Sequence, residues 1–389
     1  MRSTCLAALV ATCLAAGLDA QGRQVFPTAM ENLPFSAAVK ADGLVYVAGT
    51  IVAQGDIRAQ TRGVLDTMRA TLEKAGSSLE QVASVHVYLK NASDFAAMNE
   101  VYRTYWTKDP PVRTTIVADF VVPGALIEMS MVAIPAGGER VVVHPAAWKA
   151  SPNPYSYGIR SGDTLFLSGL VSRNGRDNTV VEGDMGTQTA TILDNAREIL
   201  AAAGFGMEHV VSSRVFITDG AKFQEMNKVY QTYFPKDPPA RATVIAPLMG
   251  PQYQVEITLT AVRQPKQTFM TPAADGTPGR PSPILSSAVK VGNRLYLSGI
   301  LGNTAATRGD TEAQTREILA RVGRTMQRAG FDWTDVVDGI VYITDVGQFD
   351  AMNRGYRSIF TKDFPARATV RAGLVAADGL VEIMFVAAK

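Results

Sequence analysis

Internal repetition constrains this 389-residue chain more than any other feature. The octapeptide Lys108-Asp109-Pro110-Pro111-Val112-Arg113-Thr114-Thr115 returns as Lys236-Asp237-Pro238-Pro239-Ala240-Arg241-Ala242-Thr243. It appears again as Lys362-Asp363-Phe364-Pro365-Ala366-Arg367-Ala368-Thr369, giving steps of 128 and 126 residues. Fifteen residues after each arginine stands a glutamate in an apolar stretch: Glu128, Glu256 and Glu382. Gly49, Gly169 and Gly299 recur in step, as do the pairs Met98-Asn99, Met226-Asn227 and Met352-Asn353. A period of this length is one whole domain, so the chain is expected to hold three copies of one unit.

Within a copy the pattern is mixed α and β. Gly55-Asp56 precedes an apolar stripe at Ile57, Val64, Leu65, Met68 and Leu72, the signature of an amphipathic helix capped by Asp56 and stopped by Gly76. Gly183-Asp184 with Gly204, and Gly309-Asp310 with Gly330, frame the same helix in the other copies. An alternating strand follows (Val87 and Leu89, Val215 and Ile217, Val341 and Ile343), then a second helix, then two strands carrying the arginine and the glutamate. Short β-prone stretches at Gln24-Val25-Phe26, Val141-Val142-Val143 and Gln267-Thr268-Phe269 read as the opening strand of each unit. The domains are thus expected at 21–138, 139–263 and 264–389.

Residues 1–20 place Arg2 before an apolar run from Cys5 to Leu18 and a small residue, Ala20, and read as a secretory signal peptide too short to span a membrane. Both cysteines, Cys5 and Cys13, fall inside it, so an exported, periplasmic or secreted mature chain is expected to carry no thiol. Three histidines at unrelated places in the repeat exclude a repeated histidine mechanism, and no metal site is expected. Thirty-eight basic against thirty-six acidic residues argue against a phosphate-driven nucleic-acid partner, and no further window is apolar enough for a membrane span.

The element order, the Pro34-Phe35-Ser36-Ala37-Ala38-Val39 opening, the Gly-Asp-x-x-x-Gln-Thr-Arg helix start and the Pro-x-Arg-x-Thr segment together resemble the RidA/YjgF family of imine deaminases, whose older name is L-PSP endoribonuclease. The resemblance covers all three copies. It implies an α+β, chorismate-mutase-like domain, a trimeric arrangement with a central β-barrel and outer helices, and ligand clefts between neighbouring units. Three tandem copies then imply a monomeric chain acting as a pseudo-trimer.

The resemblance further implies that Arg113, Arg241 and Arg367 anchor a substrate carboxylate, a role that the guanidinium fork fits bidentately. It assigns the catalytic carboxylate to Glu128, Glu256 and Glu382, orienting water onto the C=N carbon of a 2-imino acid without any cofactor. Thr115, Thr243 and Thr369 stand where the family often has cysteine. The aromatic position at the front of the cleft is filled by Phe35 and Tyr155, with Leu285 in the third copy. Beside the strand-ending glycines Gly49, Gly169 and Gly299 stand Ala48, Ser168 and Ser298. Copy two alone holds Tyr155, Ser168-Gly169, Arg241, Thr243 and Glu256 together, so clefts built from it rank first. The competing reading of each Arg/Glu pair is a buried structural ion pair. The competing functions are an exported, non-catalytic module for small carboxylates and, with less support, an endoribonuclease.

Overall fold

The computed structural model describes residues 22–29 and 33–389. The expected leader, with both cysteines, lies outside the described residues.

Each copy forms one mixed sheet with two helices on one face. In the first copy the strand Val82–Leu89 runs parallel to Val112–Val117 and antiparallel to Ile127–Ala133. That strand pairs in turn with Leu44–Thr50, then Ser36–Ala41, then Gln24–Pro27. The opening strands of the other copies, Val141–Val143 and Lys266–Phe269, likewise pair with the strand that follows them. The long helices are Ile57–Lys74, Met185–Ala202 and Thr311–Ala329, and the expected caps are present. Asp56, Asp184 and Asp310 accept hydrogen bonds from the amides of Ala59, Thr187 and Ala313, satisfying otherwise orphaned N–H groups. Gly76, Gly204 and Gly330, at φ +73°, +76° and +81°, turn the chain out of each helix.

Strand alternation divides the interior. Val85, Val87 and Leu89 point into the core under the first copy's helices, whereas Tyr88 points to the opposite face. On that face Tyr88, Phe216 and Tyr342, one from each copy, share a single core with Ile116, Val244 and Val370.

The copies touch in cyclic order. The Ser156 hydroxyl donates to Pro110 O of the first copy, Ser286 to Pro238 O of the second, and Ser36 closes the series on Phe364 O of the third, at 2.6, 2.6 and 2.7 Å. Short pairings join the copies in the same sense: Leu248 of the second with Ile116 of the first, Leu374 of the third with Val244 of the second, and Phe120 of the first with Val370 of the third.

Where the three sheets meet, the side chains are not equivalent. Arg214 of the second copy faces Asp338 of the third at 3.9 Å, and both line a cavity of about 60 Å³ together with the half-buried His86 of the first. Such a space is large enough for a few water molecules.

Candidate functional site

Every arginine strand is entered through a left-handed aspartate: Asp109, Asp237 and Asp363 have φ of 50°, 47° and 47°. Aspartate tolerates this region better than most residues, and a proline directly after it in the first two copies, or one residue later at Pro365 in the third, keeps the chain from continuing as helix. The turn delivers Arg113, Arg241 and Arg367 into the interior, each no more than 4% exposed.

Three partners cradle each guanidinium. Asn99, Asn227 and Asn353, on the second helix of the same copy, accept a hydrogen bond through Oδ1 at 2.7, 2.8 and 2.9 Å. Below lies a tyrosine ring, with the guanidinium carbon 4.9 Å from the centroid of Tyr102, 4.7 Å from Tyr230 and 4.7 Å from Tyr356. Phe95, Phe223 and Phe349 add a second ring at 5.5–5.8 Å. These contacts hold a buried cation by its ring face and one edge. The helical aromatics are core, but they are also the floor of the site. The asparagines were visible in the sequence only as punctuation of the repeat.

The glutamate that meets each arginine comes from the next copy. Glu256 lies near Arg113, Glu382 near Arg241 and Glu128 near Arg367. Glu256 Oε1 accepts from the Thr115 amide at 3.4 Å, and the amides of Thr243 and Thr369 serve Glu382 and Glu128 in the same way. No Arg/Glu pair of one copy forms a cleft. Copy two therefore does not hold a cleft of its own: its Tyr155, Ser168, Gly169 and Glu256 face Arg113 and Thr115 of copy one, while its Arg241 and Thr243 face copy three.

Burial pushes all three carboxyls up to about 8, against the opposing pull of the threonine amide and the guanidinium across the cleft. The same burial lowers Arg113 and Arg241 and brings Arg367 down to about 10. The strand-ending glycines are required by these carboxyls: a Cβ on Gly49, Gly169 or Gly299 would collide with Oε1 of Glu128, Glu256 or Glu382.

The front of the cleft differs among the three. Tyr155 sits beside Arg113 and Glu256, and burial raises its hydroxyl above the usual range. Phe35 places its ring 5.7 Å from the Arg367 guanidinium. The matching position beside Arg241 carries the half-buried Leu285. Ser168 and Ser298 act on the backbone: each accepts from the arginine's amide at 2.9 and 2.8 Å and donates to the carbonyl of Ser156 or Ser286. Arg241 Nε and Nη1, Arg367 Nε, the hydroxyls of Thr243 and Thr369 and Glu128 Oε2 are buried without a protein hydrogen-bond partner. Orphaned polar atoms in a buried site are costly, and a bound carboxylate or amine relieves that cost.

The repeated unit is shared with known proteins. The family model described as endoribonuclease L-PSP matches three times, at residues 27–135, 147–263 and 280–389. A RutC family protein of Sulfurisphaera tokodaii is 41% identical over 106 residues, covering 27% of this chain and 85% of its own. A solved Rid-family protein of Yersinia pestis, YyfA, is 29% identical, covering 32% of this chain and 99% of its own at a TM-score of 0.31. A chorismatase structure covers 79% of this chain and 93% of its own at a TM-score of 0.50 and 15% identity, a likeness of fold alone. Three matches spanning most of the sequence, each carrying the same arginine and glutamate, show that the chain belongs to the endoribonuclease L-PSP, or RidA/YjgF, family.

Proposed function

We propose that the chain hydrolyses reactive 2-imino or enamine acids to 2-keto acids and ammonia, working as an intramolecular pseudo-trimer around a central β-barrel in an exported compartment. The observation that carries this reading is the junction itself. A buried guanidinium from one copy lies beside a carboxyl of the next copy held by a threonine amide, and at the Arg241 and Arg367 junctions it keeps nitrogens that no protein group satisfies. The arginine takes the substrate carboxylate. The carboxyl, still protonated near neutral pH, gives its proton to the imine nitrogen and then receives one from the water that attacks the C=N carbon. The resulting carbinolamine loses ammonia to leave C=O. Arg, Glu and Tyr155 thus serve as anchor, acid/base and cover at the cleft between the first and second copies.

A test supplies 2-iminobutyrate generated in situ by an amino-acid oxidase. Release of 2-oxobutyrate well above the buffer rate, abolished in the Arg113→Ala/Arg241→Ala/Arg367→Ala variant, is expected. Release at the buffer rate overturns the reading.

A second reading, a small-carboxylate binder without turnover, draws support from the uncharged state of the glutamates at neutral pH, which spares a bound carboxylate any repulsion. Calorimetric binding of 2-oxobutyrate with no acceleration of imine hydrolysis favours it. The balanced charge offers no comparable support for RNA cleavage.

A further inference from the structure

Beside the cleft of Arg241 and Glu382 lies an open cavity of about 730 Å³. It starts at Gly299, the glycine that abuts Glu382, and runs outward between the helix Thr311–Ala329 and the loop 271–280. Its walls carry Arg280, Arg321 and Arg324 against one acid, Glu317. Arg321 commits Nε to Glu317 at 2.7 Å and Nη1 to Leu301 O at 2.9 Å, and Arg324 commits only Nε, to Pro272 O at 3.0 Å. Arg280 is exposed and makes no ion pair among the described residues. The cavity therefore holds guanidinium donors that the protein does not use.

The second copy has this place shut. Trp148, 7% exposed, packs edge-on against Tyr157 and donates through Nε1 to Glu198 at 2.8 Å, and a Cβ on Gly175 would collide with its ring. Counted from the helix caps Asp184 and Asp310, Glu198 and Arg324 hold the same position, as do Asn195 and Arg321. Counted from Asp56, the first copy has Ala70 and Thr67 there. One turn of one helix thus closes a tryptophan over the second copy and turns cations toward a cavity in the third. The same cleft is the one that lacks an aromatic cover, having Leu285 in place of Tyr155 or Phe35.

We propose that this cavity is a second-anion subsite, so that the cleft between the second and third copies takes acids with a second carboxylate on the side chain. Arg241 holds the carboxylate beside the reacting carbon, and Arg280 and Arg324 hold the distal one. This rests on the carboxylate-anchoring reading above.

The test titrates the full chain calorimetrically with 2-oxobutyrate and with 2-oxoglutarate. One class of site is expected to bind 2-oxoglutarate about ten-fold more tightly than 2-oxobutyrate, as charge-assisted hydrogen bonds of this kind provide. Arg324→Glu, which installs the second copy's acid, and separately Arg280→Glu, on an exposed loop that cannot unfold the core, each remove that advantage and leave the 2-oxobutyrate titration unchanged. Equal affinity for the two acids, or an advantage that survives both variants or Arg241→Ala, overturns the subsite while leaving the general reading intact. Failure of both acids to bind the unaltered chain overturns both.

Discussion

The amide of Thr115 in the first copy donates to the carboxylate oxygen of Glu256 in the second, at 3.4 Å, beside Arg113. The groups that belong together chemically are therefore not those that lie fifteen residues apart in the sequence. In a double-mutant cycle on unfolding free energy, Arg113→Ala and Glu256→Gln are expected to couple by about 0.5–3 kcal/mol, as contacting groups do. Arg113→Ala and Glu128→Gln, of the same copy, are expected to be additive within about 0.5 kcal/mol. The reverse pattern would place each cleft within one copy.

The buried carboxyls give stability a definite pH dependence. Each holds its proton to about pH 8 in the fold and to about 4.5 in the unfolded chain. Their contribution is then complete below about pH 4.5 and is lost as the pH rises through 8. Unfolding free energies measured between pH 5 and 9 are expected to fall less steeply for Glu256→Gln than for the unaltered chain, by on the order of 1–3 kcal/mol across the range. Parallel curves would mean that Glu256 titrates normally.

Gly169→Ala puts a methyl into the space of Glu256 Oε1. A destabilisation of about 1–3 kcal/mol is expected from the forced shift, with loss of ligand binding at this junction. Gly43→Ala offers a control, since its Cβ meets nothing within 4 Å although its φ of +72° carries its own strain. Retained binding in Gly169→Ala shows that the carboxyl has room to move.

Asn99→Ala removes the acceptor that holds Arg113 at 2.7 Å and leaves a buried donor unpaired. We expect a loss of about 1–3 kcal/mol in chemical denaturation, with weaker 2-oxobutyrate binding at the same junction. Asn99→Asp, which keeps the acceptor, is expected to restore the binding; a variant as weak as alanine would assign Asn99 to packing alone.

The repeat, the element order and the helix caps were legible because each rests on local chemistry: Asp56 before an amphipathic stripe, Gly76 after it, Val87 and Leu89 alternating on a strand. The arginines, glutamates and glycines were legible as constants of the period. Their pairing was not, since a repeat read as a string invites Arg241 to be joined with Glu256, whereas packing joins Arg241 with Glu382. The roles of Tyr102 and Asn99 were hidden for another reason. Helical spacing marks both as buried, and burial in a core and burial beneath a cation leave the same trace in sequence. Trp148 and Arg324 are details of single copies, which a search for what is common passes over.

The Arg214–Asp338 contact, with His86 alongside, has a bearing on how such a chain evolves. Three separate identical subunits around an axis must place any residue there in triplicate, so an arginine would meet two more arginines and an aspartate two more aspartates. Joining the copies in one polypeptide lifts that symmetry. Each position on the axis is then inherited singly, and opposite charges are free to settle against one another. The same release lets one junction keep its tyrosine while another trades it for leucine. Once these positions have diverged in this way, the copies are no longer interchangeable, and a homotrimer built from the second copy alone would gather three arginines where Arg214 now meets Asp338, and one built from the third alone three aspartates.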